Sequence, residues 1–274
     1  AATIRRWSAL CGDNTFRYRQ TQVPSKGILV PLPHQLLYIS RLTFLSVDAK
    51  TDPRKYKGYS MTDANETWHM YVPKPYRASD PLTIIAAYPF GQIITSCGDL
   101  PYATSVPMYV VTTSTGHTEL VGHMARNNPH ATTLAAGQKA LATFHGPNAY
   151  ISASWYKDQP TVPTWNYIAA QVRGTLHPID DAEAQLEIMR ITIAQSEAAS
   201  QSAWQIEQAP DGKVDSLVPR IRSFRITISN IDAVTKLSQT HPLADQKRVV
   251  DALETHSNVQ DQEIARHMRN LWPK

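Results

Sequence analysis

Two nearby segments, HGPNAYISASWY (His145–Tyr156) and VPTWNY (Val162–Tyr167), mix residue types that an apolar core does not need. Trp155, Tyr156 and Trp165 offer flat faces, and Ser152, Ser154, Thr164 and Asn166 stand between them. Planar rings can cover a flat ligand while hydroxyl and amide groups bond to its polar edge. Packing in a core or a subunit contact is the other use of such aromatics, and composition by itself favours packing.

Two further strings suit an anion. GHMARNNP (122–129) ends an apolar run and opens a helix, bringing His123, Arg126 and Asn127 together. A cation beside a helix start is suited to phosphate or carboxylate. Asn128, directly before Pro129, reads as the helix cap. His123 divides evenly between a structural histidine and a ligand contact. TKLSQT (235–240) puts Lys236, Ser238 and Gln239 in one polar patch that could meet a phosphate, or simply form a solvated turn. Lys139, at a strand start, reads as exposed.

The bulk numbers narrow the classes. The chain has 274 residues, 42% hydrophobic and 18% charged, with a net charge of +4. That is a globular composition without the dense basic stripe of a nucleic-acid binder, and no apolar run is long enough to span a bilayer. Two separated cysteines, Cys11 and Cys97, exclude a disulfide framework and suit a reducing, cytoplasmic setting. No metal-ligand spacing and no GxGxxG, GxxxxGK[ST] or GxSxG string occurs. Metal ligands are therefore not expected.

The elements that must position these residues begin at Met70. Residues 1–69 read as an extension. Up to Ser46 it carries six Lys/Arg against one acid, a bias that fits either an organellar import segment or a loosely attached arm. An apolar element is expected within it at 35–45. Beyond it, Ser79 or Asp80 with Pro81 predicts a helix to Tyr88, and strands follow at 91–97, 102–111 and 119–124. A short helix capped by Asn128 and stopped by Gly137 comes next, then a strand at 138–146 and the aromatic loop. A strand at 166–176 leads to a long helix at 180–204, with Asp180 and Glu183 at capping-box spacing. SFRITIS (223–229) alternates strictly, and 243–254 and 259–272 read as amphipathic helices. Short strands with few long helices predict an α+β fold, an antiparallel barrel or sandwich with flanking helices.

MYVPKPYR (70–77), PYATSVPM (101–108), GHMARNNP, GPNAYISASWY, VPTWNY and TKLSQ, in this order, resemble the PaiB-like family. Its members are described as FMN-binding negative transcriptional regulators. The resemblance implies a split β-barrel of the flavin-reductase and pyridoxamine-phosphate-oxidase type, usually a homodimer with FMN at the subunit interface. It implies FMN contacts among Thr104, Ser105, His123, Arg126, Asn127, Ser152, Ser154, Trp155, Tyr156, Thr164, Trp165, Asn166, Lys236, Ser238 and Gln239. Three positions depart from the family pattern: Ser105 stands where a His is frequent, Ala153 replaces Pro, and Thr240 replaces Asn. Flavin redox catalysis, a flavin-free regulator or sensor, and a haem-binding barrel with His123 as axial ligand are the readings to separate. On the two tail helices, Lys247, Arg248, Arg266 and Arg269 alternate with acids, a mixed solvated face that argues against direct DNA reading.

Overall fold

The structure, a computed structural model, describes residues 69–113 and 116–272. The expected 35–45 element and the 1–69 extension lie outside the described residues, save for His69. Asp80 takes hydrogen bonds from Leu82 N–H and Thr83 N–H and starts α1 (Pro81–Ala87), with Pro81 in the first turn. β1 (Phe90–Cys97), β2 (Leu100–Thr112) and β3 (Thr118–Ala125) then run antiparallel. Asn128 caps α2 (Pro129–Thr133) by accepting from His130 N–H. β4 (Gln138–Ile151) and β5 (Thr164–Ile179) follow, then α3 (Ala182–Ala199), the short α4 (Lys213–Leu217) and β6 (Ile221–Lys236). The chain ends in α5 (Leu243–Glu254) and α6 (Val259–Asn270).

Among the described residues the strands close into a barrel in the order β1-β2-β3-β6-β5-β4, with β4 pairing back onto β1. This is the α+β split barrel with flanking helices that the sequence implies. The strands are longer than short-strand patterning suggests: β5 and β6 have 16 residues each. Strands of that length must coil, and register shifts at His145/Asn148 and Arg173/Gly174 provide the bend. At the second shift a Cβ on Gly174 would lie 2.3 Å from the Thr227 carbonyl oxygen, so only glycine fits there.

Even-numbered residues of β5 face the interior, where Phe144, Phe224, Ile93, Leu120 and Ile226 have no exposed surface. Each such side chain contributes about 1.5–3 kcal/mol of burial. Ile84 and Ile85 of α1 and Val249, Leu253, Ile264 and Met268 of α5 and α6 join the same core. α3 lies against the outer face of β2 and β3, where Ile188 packs on Tyr109 and Val121. No helix among the described residues is long and apolar enough to cross a membrane.

Five local expectations need correction. The strand before the aromatic loop runs on to Ile151, because the shift at His145/Asn148 absorbs Gly146 and Pro147 without ending the pairing. The long helix ends at Ala199, and Asp181 rather than Asp180 caps it, accepting from Ala184 N–H. Asp180 instead takes a bidentate pair from Arg222 at 3.0 Å, which holds its carboxyl below the usual range. The second short helix already ends at Thr133, and Gly137, with φ +82°, turns the chain into β4. TKLSQT, read as a polar patch or solvated turn, begins inside a strand, since Thr235 and Lys236 are the last residues of β6.

Candidate functional site

The residues singled out from the sequence fall into two groups at opposite ends of the barrel. The first gathers where β4 ends, β5 begins and β6 ends. Tyr150 and Trp165 are cross-strand partners, both turned outward, with ring centroids 5.9 Å apart and planes at 71°. They are 49% and 53% exposed, which is high for residues of this size in paired strands. With Ser152, Trp155 and His256 they line a cleft of about 340 Å³, within the range of small-ligand sites. Trp155 is half-buried against the core and tilts over the His256 ring at 5.9 Å. His256 Nδ1 meets Asp261 Oδ2 at 2.7 Å. Ser152 opens the short turn after β4: its hydroxyl accepts from Ser154 N–H and lies 2.8 Å from the Ser154 hydroxyl. Beside them the Lys236 ammonium donates to the Thr164 hydroxyl and lies 5.8 Å from the centre of the Tyr76 ring.

Four expected ligand contacts, Tyr156, Asn166, Ser238 and Gln239, are taken up by protein partners at this same end. Asn166, with no exposed surface, donates to the Ser238 hydroxyl at 3.0 Å, and Tyr156 meets that hydroxyl at 2.9 Å. Burial raises the Tyr156 phenol above its ordinary value, and the Ser238 bond partly offsets this. Gln239 donates to the Pro75 and Thr235 carbonyls and accepts from Leu237 N–H. These side chains give one another the partners that buried polar groups require. They brace the wall on which Tyr150 and Trp165 stand.

The second group lies towards the far end: His123 pairs with Ser223, which pairs with Ile179 at the opposite end of β5 from Trp165. Ser105 is exposed opposite Gln92, and Asn127 is exposed in the turn after β3. Thr104 meets His130 Nδ1 at 2.8 Å and accepts from the Asn128 side chain, while Thr95 holds His130 Nε2 at 2.9 Å. Burial lowers the His130 pKa, which favours the neutral ring. The Arg126 guanidinium donates to the Ile221 carbonyl at 3.0 Å and makes longer contacts to Asp180 and Gln185. It therefore ties β3 to β6 and α3, with part of its surface still open. His123 is a cross-strand partner of Ser223, and its buried Nδ1 has no hydrogen-bond partner among the described residues. Lys139 donates to Thr175, away from both groups.

Residues 70–230 match a family described as "Putative FMN-binding domain". The chain belongs to this family. It is 29% identical over 208 residues to "Protease synthase and sporulation protein PAI 2" of Bacillus subtilis, covering 75% of this chain and 99% of that protein. A match at 30% identity to protein AN0679 of Emericella nidulans covers 49% of this chain and 66% of that one. Among solved structures, the conserved hypothetical protein Rv2991 of Mycobacterium tuberculosis aligns with TM-score 0.45 at 12% identity, over 63% of this chain and 94% of that one. Membership accords with the PaiB-like strings, and the matched stretch holds the Thr104–Asn127 end and the β4–β5 side of the aromatic cleft, while His256 and Asp261 lie beyond it.

Tyr150, His256 and Asp261 were missed by sequence reasoning. Tyr150 lies inside the quoted GPNAYISASWY string, and its outward direction follows from alternation once the shift at His145/Asn148 is known. No local signal marks the α5–α6 turn that carries His256.

Proposed function

We propose that this protein binds FMN in a site completed by a second copy of the chain. One protomer supplies the Tyr150–Trp155–Trp165 wall with Ser152, Ser154, Thr164 and Lys236 beside it. The other supplies Thr104, Ser105, Arg126 and Asn127. One observation carries this reading. Two groups of candidate residues in one FMN-binding family member lie at opposite ends of its barrel, one where β5 begins and the other where β3 and the start of β6 meet its end.

The residues present suit the group. Exposed flat rings fit an isoalloxazine face, hydroxyls its polar edge, and Lys236 or Arg126 a phosphate. Bound there, flavin supplies two-electron redox chemistry, while the protein orients it and shields it from water. A PaiB-type regulatory role fits the same site if flavin occupancy is the signal. Direct DNA reading by α5 and α6 is disfavoured. Arg248 is held by Asp158 and Asp245, Arg266 by Glu263, and Arg269 by Glu254, so little free positive charge faces outward.

The test is a titration of the purified chain with FMN and with riboflavin, read by absorbance and Trp emission alongside solution mass. FMN should bind to a dimer and quench Trp emission, with riboflavin weaker. Mixed dimers of Trp165→Leu and Arg126→Ala should regain one flavin site per dimer, because one shared site is then free of both substitutions. Failure of the mixture to regain binding would place each site within one protomer. A Soret band in place of flavin bands would assign haem instead.

A further inference from the structure

Between α1 and α6 opens a cleft of about 570 Å³ that shares only Gln239 and its partners Pro75 and Thr235 with the first group above. It is larger than the aromatic cleft and well within the range of small-molecule sites. Its wall is apolar, formed by Ile84, Ala87, Ile168 and Leu271. Its polar groups sit at defined places. Arg77 lines it, and the Arg77 side chain makes no hydrogen bond or ion pair among the described residues, although its backbone bridges to Val234. Tyr88 and His267, also in the lining, are joined through the Tyr88 hydroxyl and His267 Nε2 at 3.0 Å.

This pair is built into the fold. The Tyr88 ring rests on Gly146, where a Cβ would come within 2.7 Å of it. The glycine of the GPNAY string thus seats Tyr88 here, a role the flavin wall does not use. Burial, aided by Arg266, lowers the His267 pKa, so the ring is neutral near pH 7 and can accept or donate one hydrogen bond.

We propose that this cleft is a second ligand site, for a small organic monocarboxylate with an apolar body. The carboxylate pairs with the Arg77 guanidinium, whose fork matches two oxygens. The apolar body lies along Ile84, Ala87 and Ile168. A polar substituent at the far end meets Tyr88 or His267. The charge of the ligand follows from Asp80, which lines the same cleft and is kept ionised by its bonds from Thr83. One guanidinium against one carboxylate leaves too little positive charge for a phosphate dianion. The FMN phosphate is therefore not the expected occupant.

The experiment is calorimetric titration of the full chain with 4-phenylbutyrate and with its uncharged amide, before and after saturation with FMN. The carboxylate should bind at least about tenfold more tightly than the amide, the loss of one charge-assisted bond. Arg77→Gln should abolish that preference. Ala87→Trp, at an exposed lining position, should block both probes while leaving the melting temperature unchanged. FMN should leave the affinities unaltered. Equal binding of the two probes, a preference that survives Arg77→Gln, no binding by millimolar concentration, or displacement by FMN would each overturn the proposal. None of these outcomes depends on where flavin binds.

Discussion

Asp245 on α5 accepts the Lys157 backbone N–H at 2.7 Å, tying the turn after β4 to the C-terminal helices. The same carboxylate, with no exposed surface, also takes Asp158 N–H at 3.1 Å and Gln159 N–H at 2.8 Å, and pairs with Arg248. Burial pushes this carboxyl up, but the bonds from Lys157, Arg248, Asp158 and Gln159 outweigh it and hold the pKa far below the usual carboxylate range. The aromatic wall therefore depends on one acid about ninety residues away in sequence.

Asp245→Asn should lower the melting temperature, because an amide oxygen replaces a charged acceptor for three N–H groups. The pH dependence has a definite sign. A depressed folded pKa gives stability that is complete above the unfolded value, about 4, and is lost as pH falls below it. The gap between wild type and variant should be constant from neutral pH down to about 5 and narrow below about 4. Melting curves across that range check it.

Gly146→Ala should destabilise by about 1–3 kcal/mol, the usual effect of overpacking. The added methyl would push the Tyr88 ring and break its bond to His267. Denaturant unfolding measures the loss. With Tyr88→Phe in place, Gly146→Ala should be milder only by the bond already lost, since the clash is with the ring and persists.

The two tryptophans should separate. Trp165→Leu, at a 53% exposed position, should change stability by no more than about 0.5 kcal/mol. It should nevertheless weaken FMN and reduce the quenching of Trp emission. Trp155→Leu should cost clearly more stability, because Trp155 packs on the core. If Trp165→Leu leaves FMN affinity intact, the wall is not the flavin surface.

Acid should weaken the fold through its histidines. Burial depresses the pKa of His123, His130, His241 and His267 alike. A base with a depressed folded pKa contributes stability that is complete above the unfolded value, about 6.5, and declines as pH falls through it. The melting temperature should fall between about pH 7 and pH 5. His130→Gln should flatten part of that slope, since His130 is clamped between Thr95 and Thr104.

Local features were legible in the sequence because they are local in physics. Asp80 and Asn128 cap helices through side chain–backbone bonds spanning two or three residues. SFRITIS reveals its buried face by strict alternation, and Phe224 and Ile226 are indeed fully buried. Asp180 and Asp181 look equivalent in sequence, and only the distant Arg222 decides which of them caps α3. The candidate site divides in the same way. Aromatic and hydroxyl types marked a segment that lines the aromatic cleft, but register decides which of them face out. Asn166 and Trp165 are neighbours in sequence, yet one lies in the core and the other in solvent.

β6 is the last strand of the barrel to leave the ribosome, and it fills the gap between β3 and β5. Until residue 236 has been made, the nascent chain can form at most an open sheet ordered β3-β2-β1-β4-β5, with unpaired edges on β3 and β5. Such edges are templates for pairing with other chains. Translation that stalls in α3 or α4 should therefore yield a sticky, chaperone-dependent fragment. Synthesis carried past the end of β6 should yield a closed barrel, making β6 the point at which a newly made chain passes from hazardous to safe.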